Sequence, residues 1–329
     1  MFMVEISRAT IKTQERRRTM IKRTILKIFF VISLFSPLVV LAGGSFSNMY
    51  VFGDSLSDTG NLASITQPFP NPPFYMNRVS NGPVGVEILA SSLGLTADAS
   101  LHLIGPAVGT NYSVAGAHAA GDTAIDLPTQ INLFLANNGG AAPADALYVV
   151  FIGGNDIRSA RDEADKDQRK KIIKLAVHSI DIQLRTLIGA GARSIIVVNS
   201  PDIGGIPETQ LIAAAIGDEE IPEETTELTK KFNKKLAKSI RKIEHQLGVD
   251  IVDFDVFSFF NSIRKNDEAL GFTNSKNACF SQATSSFNPD CNFGARFGKF
   301  IFFDEIHPTE RVHERTGRAI FAVVPVPVE

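Results

Sequence analysis

The chain has 329 residues, 44% hydrophobic and 21% charged, which allows one large α/β domain or two small ones. Residues 1–42 carry eight Lys/Arg and two acids, leaving 25 basic against 33 acidic residues in the remainder, a net charge of −8. An acidic remainder with no basic stripe argues against a nucleic-acid partner, and any route to a membrane surface would have to be hydrophobic.

Met20-Ile21-Lys22-Arg23, with Lys27, is a basic segment ahead of the apolar run Ile28–Val40, and Val40-Leu41-Ala42 offers small residues for cleavage. This pattern predicts a signal peptide cut near Ala42, hence a secreted or periplasmic protein. The alternative, an uncleaved anchor, is disfavoured by the short run and by Pro37. Residues 1–42 are therefore set apart as extension plus signal peptide, with Met20 a second candidate start. Residues 43–329 are read as a single domain.

Met49–Phe52 is a β-branched and aromatic run that predicts a buried strand, breaking at Gly53 into a polar turn that presents Ser55. Thr66–Pro73 is a proline-rich loop, and Pro83–Leu93 reads as a helix stopped by Gly94. Gly109–Ala120 reads as a strand running into a small-residue turn around Gly116. Ala146–Ile152 is an apolar strand ending in the turn Gly153-Gly154-Asn155-Asp156. Lys166–Ile188 and Glu223–Leu247 are amphipathic helices, Ser194–Val198 and Asp250–Phe254 strands, and Thr309–Phe321 a closing helix. Strands alternating with long helices predict an α/β three-layer sandwich, a mostly parallel sheet with helices on both faces. In such folds ligands bind beyond the carboxyl ends of the strands, so the breaks at Ser55, Gly116 and Asn155 should share one rim.

Cys279 and Cys291 are the only cysteines. An even count in an exported chain predicts a disulfide, restricting the unfolded chain by about 3 kcal/mol; two reduced thiols are the alternative. No Cys/His spacing suggests zinc.

A serine nucleophile needs a base, a group that orients the base, and donors for the oxyanion. Of six histidines, His307 alone sits in a telling context, Phe302-Phe303-Asp304-Glu305-Ile306-His307-Pro308. A spacing of three lets Asp304 fold back on one imidazole nitrogen and leaves the other for Ser55. The backbone amides of Ser55 and Gly116 and the Asn155 side chain are candidate oxyanion donors.

Gly53-Asp54-Ser55-Leu56, Gly116, Gly153-Gly154-Asn155-Asp156 and Asp304-x-x-His307-Pro308, in this order, resemble the Ser, Gly, Asn and His blocks of the GDSL, or SGNH, hydrolases. The resemblance implies the SGNH-hydrolase, flavodoxin-like fold. It also implies Ser55 as nucleophile, Asp304 and His307 as its partners, Ser55, Gly116 and Asn155 as oxyanion hole, acyl transfer through an acyl-serine, and no metal or organic cofactor. Gly85, where many members carry tryptophan, is a departure that bears on the groove wall.

Residues 251–303 hold 12 of the 24 phenylalanines, a density that suits a core, an acyl groove or a face toward a bilayer. Export, acidity and this segment resemble secreted GDSL phospholipases, lysophospholipases and glycerophospholipid:cholesterol acyltransferases. The resemblance implies a lipid ester as substrate at a membrane or micelle surface, and a protease that activates by nicking the Cys279–Cys291 loop. A short-chain or carbohydrate esterase, and a non-catalytic envelope or adhesin protein, are the competing readings.

Overall fold

A computed structural model describes residues 45–66, 69–291 and 297–327. The signal-peptide and cleavage expectations over residues 20–42 lie outside the described residues. Within the described residues, no helix is long and apolar enough to cross a membrane.

Four parallel strands, β1 (Met49–Gly53), β2 (Leu147–Phe151), β3 (Ser194–Val198) and β4 (Ile251–Phe254), lie side by side in that order. Their side chains alternate between two cores. Tyr50, Phe52, Tyr148, Val150, Ile195 and Val197 face one apolar cluster; Met49, Val51, Leu147, Val149, Phe151, Ile196 and Val198 face the other. Both faces are covered, which is why these strands read as continuous apolar runs. The first face packs on helices α3 (Leu127–Asn137), α4 (Gly154–Asp162), α5 (Lys166–Ala190) and α7 (Ile221–Leu247). The second packs on α2 (Gly85–Ser92), α8 (Val256–Lys265) and α9 (Glu310–Phe321). This is the predicted three-layer α/β sandwich. The short helix α1 (Ala63–Thr66) and helix α6 (Pro207–Ile216) complete the helices.

The expected strand over Gly109–Ala120 is not a regular strand. The segment runs beside β1, bonding through Val51 N–H to the Thr110 carbonyl (3.1 Å), Tyr112 N–H to Val51 (2.8 Å) and Val114 N–H to Gly53 (3.1 Å), with one parallel bridge at Asn111. On its other side Asn61 Nδ2 donates to the Asn111 and Ser113 carbonyls (both 2.8 Å), and the Ser100 amide also donates to Asn111 (2.8 Å). The chain thus leaves β1 toward this edge and later returns to the opposite side of β1 as β2. That reversal is the switch point at which α/β sheets bind ligands, and Ser55 follows β1 there while Asn155 follows β2.

Gly85 lies where helices α2 and α9 cross closely, and a Cβ on it would make ordinary contact, 3.4 Å from the His313 carbonyl. A Cβ on Gly317 would instead strike the Gly85 carbonyl oxygen and Ile88. Because the obstacle is backbone, Gly317→Ala should destabilise the protein by about 2 kcal/mol or more, read as a lower urea midpoint at unchanged m-value.

A disulfide joins Cys279 to Cys291, with Cα atoms 5.2 Å apart. Two short hairpin strands, β6 (Phe280–Ser281) and β7 (Ser286–Phe287), lie inside the bridged loop. Strand β8 (Phe300–Phe302) pairs with β5 (Asn274–Ala278) and leads into the Asp304–His307 turn. Cys279, Cys291, Phe74, Phe280, Phe300 and Phe303 form a small third core beside that turn. Among the described phenylalanines of residues 251–303 none is exposed. Phe260, Phe272, Phe280, Phe300, Phe302 and Phe303 are buried, and Phe254, Phe257, Phe259, Phe287 and Phe297 are half-buried.

Candidate active site

Ser55 stands just past β1, where the backbone stops pairing with β2. The Gln130 side chain closes the strand end, accepting from Gly53 N–H (2.9 Å) and donating to Gly53 O (2.8 Å). The Asp54 carbonyl then accepts from the amides of Ser57 (3.1 Å) and Asp58 (3.0 Å), and its Oδ1 from Leu56 N–H (3.0 Å). Asp54 therefore shapes the turn, as a local cap does. Burial, reinforced by the nearby Asp156 charge, pushes its carboxyl up to about 6, against the Leu56 amide and His307.

The structure brings Ser55, His307 and Asp304 into one hydrogen-bonded line. Ser55 Oγ lies 2.8 Å from His307 Nε2, and His307 Nδ1 lies 2.9 and 2.8 Å from the two Asp304 oxygens. The amides of Ile306 (2.8 Å) and His307 (2.6 Å) both donate to Asp304 Oδ1, and the Gln282 side-chain amide donates to Oδ2 (2.8 Å). Asp304 is fully buried, held as a carboxylate acceptor by N–H groups on every side. This fixes the proton of His307 on Nδ1 and leaves Nε2 to accept from the serine hydroxyl. Glu305 turns away, its carboxylate accepting from Gln282 N–H at 3.2 Å.

Asn155 does not sit on a free turn, as its glycines suggested. Gly153, with φ +122° and Phe232 where a Cβ would be, caps α4, and Asn155 occupies that helix's first turn. A helix start directs amides and polar side chains toward a bound anion, so the placement suits the expected chemistry better than a loop would. Arg158 donates to Asn155 Oδ1 (3.1 Å), and Asn155 Nδ2 donates one proton to the Ala117 carbonyl (2.8 Å), leaving the second N–H free. Gly116 adopts φ +90°, a conformation that side chains resist, in a turn closed by Ala117 N–H to Val114 O (3.1 Å). Neither the Ser55 nor the Gly116 amide has a hydrogen-bond partner among the described residues. Buried Asp58 ties the two turns together, accepting from Gly60 and Asn61 (2.7 Å each) and from Ala115 (2.9 Å).

A cavity of about 60 Å³ opens beside Ser55 and His307, walled by Leu56, Phe151, Ile203, Val256, Phe260 and Phe302. Gln282, Arg158 and His313 escaped the sequence reading. No spacing marks Gln282, which meets Asp304 through tertiary packing, whereas Arg158 stands three residues from Asn155 on α4, a spacing that becomes readable only once Gly153 is known to start a helix. His313 also lines this cavity. Among the described residues no cluster of His, Cys, Asp and Glu could hold a metal ion.

Residues 49–320 match the family described as GDSL-like Lipase/Acylhydrolase. Lipase 1 of Photorhabdus luminescens is 27% identical over 86% of this chain and 51% of its own length, so the chain spans about half of that relative. GDSL esterase/lipase At1g74460 of Arabidopsis thaliana is 25% identical over 80% of this chain and 84% of its own. Phosphatidylcholine-sterol acyltransferase of Aeromonas hydrophila is 24% identical over 72% of this chain and 66% of its own. With its parallel sheet, its Ser–His–Asp line and a match over nearly all the described residues, the chain belongs to the GDSL family of lipase and esterase acyl hydrolases.

Proposed function

We propose that this protein is an exported lysophospholipase or phospholipase A that can pass its acyl group to a sterol, with Ser55 as nucleophile. The observation that carries the reading is the unbroken Asp304–His307–Ser55 line at the mouth of an apolar cavity. His307 Nε2 takes the Oγ proton as Oγ bonds to the ester carbon, and the Ser55 and Gly116 amides with the free Asn155 N–H receive the oxyanion. Collapse returns the proton to the leaving alcohol, and water or a sterol hydroxyl then attacks the acyl-serine through the same base. Asn155→Ala should lower kcat by about 10²–10³ with little change in KM, as loss of one oxyanion donor does.

Three observations support a lipid substrate. The names Lipase 1 and Phosphatidylcholine-sterol acyltransferase belong to relatives of this chain. An open groove of about 560 Å³, walled by Phe69, Phe74, Phe280 and Phe287, adjoins Gln282, which hydrogen-bonds Asp304. Met76, Ile104 and Val108 stand 67%, 62% and 78% exposed on loops, apolar enough to meet a membrane or micelle surface. The exposed stretch Gln282–Ser286 of the disulfide loop is open to an activating protease.

The small cavity favours a second reading, an esterase of short acyl groups on the same site. A panel of phospholipids, lysophospholipids and short-chain esters, with and without cholesterol and before and after limited proteolysis, tests both. Release of long-chain fatty acid supports the first, and turnover confined to short esters overturns it in favour of the second.

A further inference from the structure

Glu208 stands in the first turn of α6, directly after Pro207. Its amide is one of the donors that a helix start leaves without an internal partner. The Glu305 carbonyl takes it at 2.8 Å, inside the turn that carries Asp304 and His307. The Glu208 carboxylate reaches α4 instead. Its Oε2 accepts from Arg158 Nε and Arg161 Nη1, both at 2.8 Å, and its Oε1 accepts from Arg158 Nη2. Arg158 then gives its remaining edge to the oxyanion donor, Nη1–H to Asn155 Oδ1 at 3.1 Å. One residue of α6 thus touches the base turn through its backbone and Asn155 through a guanidinium.

Asn155, Arg158 and Arg161 follow one another at a spacing of three along α4. Two guanidiniums one turn apart repel, and the Arg161 side chain is only 2% exposed, so a shared anion has to offset both. Burial opposes the charge on Glu208, yet the bonds from Arg158 and Arg161 hold its carboxyl below the usual carboxylate range. It stays ionised at neutral pH. The Asn155 carboxamide depends on this frame. The Ala117 carbonyl anchors Nδ2 at 2.8 Å, but one bond leaves the amide plane free to swing. Arg158 supplies the second anchor, and its positive charge on Oδ1 polarises the amide and strengthens the free N–H as a donor.

We propose that Glu208 is a positioning residue for acyl transfer, setting the plane of the Asn155 carboxamide through Arg158 and holding the Asp304–His307 turn in register with that donor through its own amide. The inference rests on Asn155 being an oxyanion donor. Its effect falls on the transition state and not on substrate binding, since the oxyanion forms only when Ser55 attacks.

The test is a double-mutant cycle on p-nitrophenyl butanoate hydrolysis. It measures kcat and KM for wild type, Glu208→Gln, Arg158→Lys, Asn155→Ala, and each of the first two substitutions combined with Asn155→Ala. In Glu208→Gln the side-chain oxygen must take the Oε2 position, where two donors converge, and the NH₂ then confronts Arg158 Nη2. Arg161 keeps its partner, so the fold should survive while Arg158 is turned. The expected result is a kcat about tenfold lower at unchanged KM, and the same for Arg158→Lys, whose ammonium cannot fork between Glu208 and Asn155. In the Asn155→Ala background either substitution should cost less than about twofold more. Losses that multiply in the doubles would overturn the inference, as would a Glu208→Gln enzyme within about twofold of wild type. Should Glu208→Gln not fold, the Arg158→Lys cycle decides by the same criteria. Asn155→Ala within about twofold of wild type would instead sink the oxyanion reading on which the inference stands.

Discussion

Ser55→Ala should fold, melt as the wild type does, and lose ester hydrolysis by a factor on the order of 10⁶, the loss seen when a triad nucleophile is removed. The two halves of this expectation have separate causes. The turn that carries Ser55 is held by Asp54, whose carbonyl and carboxylate take the amides of Leu56, Ser57 and Asp58, and none of these bonds uses Oγ. The hydroxyl has a single partner in the structure, His307 Nε2 at 2.8 Å. Its removal therefore deletes the nucleophile while leaving the oxyanion donors and the cavity in place. Circular dichroism and a thermal melt establish the fold, and a sensitive fluorogenic ester measures the rate. Turnover near the wild-type level would show that another group does the chemistry.

Asp304→Asn should lower kcat by about 10⁴ at neutral pH with the fold retained. The direction of the introduced amide is set by the surrounding bonds. Two backbone amides, from Ile306 and His307, point at Oδ1, so the asparagine oxygen must take that position. Its NH₂ then falls at Oδ2, 2.8 Å from His307 Nδ1, where Gln282 can turn its own oxygen to accept. The carboxylate shared by Nδ1 is thereby reduced to one neutral oxygen at 2.9 Å with an NH₂ at 2.8 Å beside it, which shifts the imidazole proton toward Nε2, the atom that has to accept from Ser55. The base is lost although every atom stays close to its place. A rate within tenfold of wild type would refute this role for Asp304, and a ¹⁵N spectrum of His307 would report the tautomer directly.

Much of the architecture was legible along the chain. The apolar runs at 49–53, 147–151 and 194–198 are strands buried on both faces, 251–254 is the half-exposed edge strand, and the long amphipathic stretches are helices with their apolar stripes inward. The reading failed where a backbone finds its partners in side chains. Gly109–Ala120 has strand composition, yet Asn61 occupies carbonyls that a ladder would need. Gly153–Asp156 has turn composition, yet it opens helix α4, because Gly153 meets Phe232 and can still take positive φ.

The chemistry-bearing groups are local features of the chain, since a serine after a strand and an Asp-x-x-His-Pro turn carry their geometry with them. What those groups can reach is set by tertiary packing. Gln282 meets Asp304 from inside a disulfide loop, and Arg158 turns the Asn155 carboxamide. His313 takes the Gly85 amide on one ring nitrogen, tying α9 to α2 beside the cavity. Arg158 reaches Asn155 at the i,i+3 spacing of one helix, but the Gln282 and His313 contacts join residues that no helical or strand period relates, and the second follows from the close crossing of α2 on α9.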